Sequence, residues 1–118
     1  MNIGEFATRS GVSADTLRYY EKIGVLRTIA RNASGHRVYD VRDLDWIAFV
    51  LRLKDTAMPL ADIRRYAELR AQGDATCDER RQMLEAHAGH LQKKIQRDRD
   101  HLAAMQAKIA FYDRSHAS

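Results

Sequence analysis

The sequence predicts a mainly α-helical protein built from a winged helix-turn-helix head, with a small β ribbon as the wing, and a long C-terminal helix. Three observations predict it. One Pro and six Gly in 118 residues disfavour a loop-rich β architecture. Two short segments with helical apolar spacing are separated by Gly11-Val12-Ser13 and followed by a β-branched stretch. Apolar residues then recur at heptad intervals from Leu84 to Tyr112.

The elements follow in order. Ile3, Phe6 and Ala7 share one face of a first helix, over Ile3 to Ser10, and Gly11 stops it. Ser13 reads as the N-cap of a second helix, Ala14 to Ile23, with Asp15 in its first turn where a carboxylate meets the positive end of the helix dipole. From Val25 to Tyr39, Val25, Thr28, Ile29 and Val38 favour strand, and Asn32-Ala33-Ser34-Gly35 interrupts them as a turn. A two-stranded ribbon tipped near Ser34-Gly35 is expected. Asp40 caps a third helix, Val41 to Thr56. Pro59 opens a fourth, Leu60 to Ala71, which Gly73 ends.

Thr76-Cys77-Asp78-Glu79 matches the capping-box pattern, and the helix it would start runs to about Tyr112. Leu84, Leu91, Asp98, Met105 and Tyr112 form one seven-residue series, and Ala88, Ile95, Leu102 and Ile109 a second, offset by four. A helix of ~37 residues is roughly 55 Å long at ~1.5 Å per residue. A small domain cannot cover such a stripe, so a second copy of the chain is its simplest partner.

Composition narrows the function. With 45% hydrophobic and 31% charged residues the chain is globular. The single cysteine, Cys77, excludes an internal disulfide. No apolar run reaches the ~18 residues of a membrane span, and Met1-Asn2-Ile3-Gly4-Glu5 lacks the features of a signal peptide, so a cytoplasmic protein with no membrane partner is expected. No glycine-rich phosphate loop, nucleophile elbow or metalloprotease histidine pair is present, so no enzyme, cofactor or metal site is expected. Between Arg9 and Arg37 there are six basic residues (Arg9, Arg18, Lys22, Arg27, Arg31, Arg37) and two acidic ones (Asp15, Glu21), an excess equal to the net +4 of the whole chain. The positive charge therefore coincides with the helix-turn-helix and ribbon, the arrangement of a double-stranded DNA reader. Thr16, Arg18 and Tyr19 on the second helix would enter a major groove, Arg31 and Arg37 would lie along the backbone beside it, and Lys22 is a further DNA-binding candidate.

Ile3-Gly4-Glu5-Phe6-Ala7, Gly11-Val12-Ser13, Thr16-Leu17-Arg18-Tyr19-Tyr20-Glu21, Gly24 and Ser34-Gly35-His36-Arg37-Val38-Tyr39 together closely resemble the MerR family of bacterial transcription regulators. The resemblance extends through Asp43-Leu44 and the Gly73-Asp74 turn. It implies a DNA-binding head with a two-helix connector over residues 1–72 and a dimerisation helix over 73–118 that pairs antiparallel with its mate. Thr16, Arg18 and Tyr19 would touch DNA from the recognition helix, Arg37 and Tyr39 from the wing; Tyr20 stays open between a DNA contact and the core, and its spacing of three from Leu17 favours the core. The chain departs from the family pattern at Arg27-Thr28, where proline is frequent, and at His36, where an aromatic is common. The implied function is a homodimer on a palindromic promoter operator, activating by bending and untwisting an overlong spacer so that RNA polymerase engages both elements. An excisionase-like architectural protein and a coiled-coil adaptor without DNA specificity are the alternatives.

Family members differ in what they sense. Cys77 takes the position of a metal-sensing cysteine at the start of the dimer helix, where thiolate is favoured, but a second cysteine in the following loop is missing. Metal sensing with His87 or His90, redox or electrophile sensing, and a plain surface thiol all stay open for it. His87, His90 and His101 read as helix-surface residues. Trp46-Ile47-Ala48-Phe49 resembles the short branch that responds to aldehyde and nitrosative stress, yet Arg52 stands where that branch has its cysteine. A large C-terminal ligand-binding domain is not expected.

Overall fold

A computed structural model describes residues 1–116. The elements run α1 (Ile3–Ser10), α2 (Ala14–Lys22), α3 (Val41–Asp55), α4 (Leu60–Ala71), a 3₁₀ turn (Asp74–Thr76) and α5 (Cys77–His116). They fall into two compact units, Met1–Arg81 and the residues from Gln82 onward.

Local chemistry sets the boundaries in the first unit. Asn2 accepts the N–H of Glu5 at 2.8 Å and Ser13 that of Thr16 at 3.1 Å, satisfying N–H groups that a helix start leaves open. Gly11 closes α1 at φ 74°, a left-handed conformation that favours glycine. Asp40 and Asp43 form a reciprocal capping box at the start of α3, each side chain accepting the other's backbone N–H.

One core joins these helices. Phe6, Leu17, Val25, Leu26, Tyr39, Ile47 and Val50 are almost wholly buried, drawn from α1, α2, α3 and the segment between α2 and α3. Trp46 donates its indole N–H to the Val25 carbonyl at 2.7 Å and stacks on Tyr66 of α4 at 5.8 Å, while the Arg70 guanidinium lies 4.4 Å over its ring. Arg64 of α4 donates to the Ile23 carbonyl, which ties the connector to the end of α2.

Two expectations are corrected. The ribbon is no pair of strands: it is a hairpin with one isolated antiparallel bridge, Arg31 to Arg37. Asn32 N–H donates to His36 and Val38 N–H to Ala30, both at 2.9 Å, and no further ladder forms. The Asn32 side chain accepts from Ser34 and His36 instead, folding the tip as a turn, and Gly35 holds φ 80° there. A two-stranded ribbon with its side chains in water gains too little packing to extend. The second correction concerns Thr76. Its hydroxyl does not cap α5 but donates to the Leu69 and Gly73 carbonyls, and it accepts from Arg80. The 3₁₀ turn runs straight into α5, so the capping-box pattern is spent on sealing the end of α4. The first turn of α5 packs within the first compact unit: Arg80 also donates to the Gly73 carbonyl, and Arg65 pairs with Glu79 at 3.5 Å.

The second unit is helix alone. No residue of α5 is buried. Leu84 and Leu91 are half-buried, while Ala88 and the apolar positions from Ile95 to Tyr112 are exposed, Met105 to 63% and Ile109 to 60%.

Candidate nucleic-acid interface

The 3.6-residue period of α2 separates two jobs. Leu17 (0% exposed) and Tyr20 (7%) pack into the core, so their neighbours Arg18, Tyr19 and Lys22 project outward. Thr16 stands at the first turn, its hydroxyl taking the Ser13 hydroxyl proton at 2.9 Å. Arg18 pairs with Asp15 at 3.0 Å, but both side chains are open to solvent, so the pair holds Arg18 weakly and an incoming phosphate can replace the aspartate. Tyr19 keeps 44% of its surface exposed.

Beside this face lies the hairpin. Arg31 and Arg37 sit opposite each other as a non-hydrogen-bonded pair, where like charges repel across the bridge. Each has its own answer. Arg31 donates to the Gly35 carbonyl at 2.8 Å and stays at the exposed tip. Arg37 donates its Nε to Glu21 Oε2 at 2.9 Å, and the other oxygen of Glu21 accepts the Ile29 N–H at 3.3 Å. A cleft of about 630 Å³ runs between the hairpin and the start of α1, with Arg18, Arg31, His36 and Arg37 among its walls. Met1, one of its lining residues, exchanges reciprocal backbone bonds with Tyr39, at 2.6 and 2.7 Å.

Two of the six basic residues thus serve the fold first. Arg27 forms a two-pronged pair with Asp43, both bonds at 2.8 Å, and Asp43 is 3% exposed. Arg37 is three-quarters covered in its pair with Glu21. In the sequence Arg27 counts only toward the positive charge of the head, because its partner is 16 residues away. The Asp40-x-x-Asp43 spacing at a helix start was the available signal for a second acidic group there. Glu21 reads in the sequence as one of two acids in the basic stretch, without the partner that its place among so many bases calls for.

Tyr39 needs the larger correction. Expected at the DNA, it is 1% exposed and its ring stacks on Phe6 at 4.4 Å, with the hydroxyl meeting no hydrogen-bond partner among the described residues. Val38 and Tyr39 alternate across an extended segment, so Val38 takes the solvent side and Tyr39 the core. Burial raises the Tyr39 pKa, the Glu21 carboxylate adds to the shift, and Arg37 and Arg18 oppose it. Asp40 moves the other way. Partial desolvation pushes its carboxyl up, but N–H groups of Asp43 and Arg42 and the guanidiniums of Arg42 and Arg27 outweigh it and hold the pKa below the ordinary value.

Cys77 is exposed, with its sulfur 3.2 Å from Arg80 Nη2. Among the described residues no group of three His, Cys, Asp or Glu is placed to hold a metal ion, and His87, His90 and Cys77 are not gathered into one.

Comparison with known proteins agrees with this arrangement. Residues 1–69 match the MerR HTH family regulatory protein, and residues 44–110 match the family described as MerR, DNA binding. An uncharacterised HTH-type transcriptional regulator of Haemophilus influenzae is 36% identical over 111 residues, which is 94% of this chain and 82% of the relative. The crystal structure of HiNmlR, a MerR family regulator lacking the sensor domain and bound to promoter DNA, is 34% identical with a TM-score of 0.83, covering 98% of this chain and 92% of that one. A MerR family transcriptional regulator from Listeria monocytogenes is 35% identical with a TM-score of 0.88, covering 96% of this chain and 86% of that one. The outward face of α2, the hairpin at its side and these matches along nearly the whole length together show that this chain belongs to the MerR family of helix-turn-helix transcriptional regulators.

Proposed function

We propose that two copies of this chain bind a palindromic promoter operator in the cytoplasm and activate transcription there by distorting the spacer, so that RNA polymerase reaches both promoter elements. The observation that carries the DNA contact is the division of α2, which buries Leu17 and Tyr20 and turns Arg18, Tyr19 and Lys22 outward next to Arg31 of the hairpin. Thr16, Arg18 and Tyr19 read the major groove, while Lys22, Arg31 and the outer part of Arg37 meet phosphates. HiNmlR, so similar in sequence and fold, is bound to promoter DNA.

The dimer reading rests on α5. Ile95, Leu102, Met105, Ile109 and Tyr112 form an exposed apolar stripe in the heptad series, with Leu84, Ala88 and Leu91 continuing it. A second copy running antiparallel covers all eight. That stripe favours a dimeric regulator over an excisionase-like architectural protein, which has no use for it. Paired heads then hold two half-sites, and bending the DNA between them costs deformation energy that phosphate contacts offset.

The test is selection of bound sequences from a random DNA pool, followed by footprinting with a reagent that attacks unstacked bases. A palindrome with hyper-reactive central base pairs is expected. A palindrome bound without any central distortion would leave the DNA reading standing and remove the activation mechanism. Effector sensing by Cys77 is tested in the same promoter system: if Cys77→Ser responds to metals and electrophiles as the parent does, thiol sensing is excluded.

A further inference from the structure

The hairpin has a single bridge, so no sheet fixes the direction in which it leaves the head. Ile29 and Tyr39 seat the roots of its two arms in the core, and among the described residues the hydrogen bonds that link it to the recognition helix are made by one carboxylate. Glu21, in the last turn of α2, uses Oε1 to accept the backbone N–H of Ile29, where the hairpin begins, and Oε2 to accept Nε of Arg37, where it ends. Both arms are gripped by the same side chain, which is only 16% exposed, so this ion pair is shielded from the screening that weakens open surface pairs. Arg18 lies three residues before Glu21, within the same turn and a half of α2.

We propose that Glu21 is a positioning residue that fixes the angle between recognition helix and hairpin and thereby sets how sharply the protein separates its operator from other DNA. The inference rests on the DNA-binding reading above. Base contacts from α2 and phosphate contacts from the hairpin are made together only at one angle between them. A hairpin released from Glu21 still finds phosphates, since every sequence offers them, but no longer in register with the bases. Release also removes a negative charge from the DNA-facing side and frees Arg37, which strengthens binding to any duplex. Both effects lower discrimination.

Three variants and one cycle test this on the intact chain, using an operator selected with the parent protein and a scrambled duplex at fixed salt. Glu21→Gln keeps an acceptor for Ile29 and loses the ion pair. It is expected to bind the operator more weakly and the scrambled duplex more tightly, lowering the affinity ratio about tenfold, a modest part of the usual span between specific and non-specific binding. Glu21→Asp keeps the charge but is one methylene too short to reach both arms, so the ratio falls while scrambled-duplex binding stays within twofold of the parent. In an Arg37→Gln background, Glu21→Gln has little left to remove, and the ratio changes less than twofold. Thermal melting establishes that each variant folds. Ratios within twofold of the parent in folded Glu21→Gln and Glu21→Asp would overturn the inference. So would a tenfold fall that persists undiminished without Arg37. A parent protein that selects no operator at all overturns the DNA-binding reading and this inference with it, whereas a selective parent with equally selective variants overturns the inference alone.

Discussion

The head and the long helix solve opposite problems with the same residue types. In Met1–Arg81, apolar side chains from four helices and one hairpin reach a common interior, and Phe6, Leu17 and Ile47 have no exposed surface at all. In α5, Leu102, Met105 and Ile109 are more than half exposed, and no residue is buried. Hydrophobic burial stabilises only where area leaves water, at about 25 cal/mol per Å². The head collects that stabilisation within one chain. An isolated helix cannot, because propensity and i,i+4 pairs contribute only tenths of a kcal/mol each. Folding of the head is therefore an intramolecular matter, whereas in the dimer proposed above α5 would depend on concentration through a second copy.

The sharpest way to break this contrast is to charge the stripe. Ile95→Lys with Leu102→Lys is expected to leave the melting transition of the head in place while abolishing the dimer, seen as a monomer in sedimentation equilibrium, with operator affinity lost by about two orders of magnitude or more as the second half-site disengages. A variant that stays dimeric would show that the stripe is not the seam.

The head is more sensitive to its internal ion pair than its surface suggests. Arg27→Ala leaves the Asp43 carboxylate buried with only the Asp40 N–H for company. It is expected to destabilise the head by about 2–3 kcal/mol in urea unfolding, the usual penalty for stranding a buried charge. A loss below ~0.5 kcal/mol would mean that Asp43 finds water. Asp98 tests the seam from the other side. It occupies the heptad series midway between Leu84 and Tyr112, so an antiparallel pair centred there sets two carboxylates against each other. Asp98→Leu is expected to raise the melting temperature of the dimer at matched concentration, by about 1–2 kcal/mol of association, and a fall would refute that register.

Smaller effects sharpen the picture of the head. Ala57, between α3 and α4, holds φ 68°, the left-handed region in which a Cβ is strained. Ala57→Gly is expected to stabilise by about 0.5–1 kcal/mol, and a destabilisation would mean that the turn tolerates alanine freely. Asp40 provides the pH test. Its folded pKa lies below the unfolded one, so its contribution is present at neutral pH, above the unfolded carboxylate value, and is lost as pH falls through the folded value, below about 4. Asp40→Asn keeps a capping side chain without the charge. It should lose less melting temperature than the parent between pH 7 and pH 3, and equal losses would clear Asp40 of any part in acid denaturation.

How far the residues alone reached is instructive at particular places. Ser13, Asp40 and Gly11 were legible as caps and stops because capping is settled within three or four residues. The outward face of α2 was legible because 3.6-residue spacing assigns Leu17 and Tyr20 to one side whatever they pack against. The hairpin was over-read as a ribbon, since β-branched residues signal strand while neighbours decide whether a ladder forms. At the interface, Arg18, Tyr19, Lys22 and Arg31 stand on the surface where spacing put them, but Tyr39 does not, because Phe6 reaches it from another helix.

The heptad period in α5, the starts of α2 and α3 and the concentration of positive charge from Arg9 to Arg37 were determined by the sequence itself, since each depends on neighbours along the chain. The tertiary structure alone decided which charges are spoken for. Arg27 meets Asp43 and Arg37 meets Glu21 across 16 residues in each case. Coulomb attraction chooses partners by distance in space, and only the packing of α2 and α3 against the hairpin sets that distance.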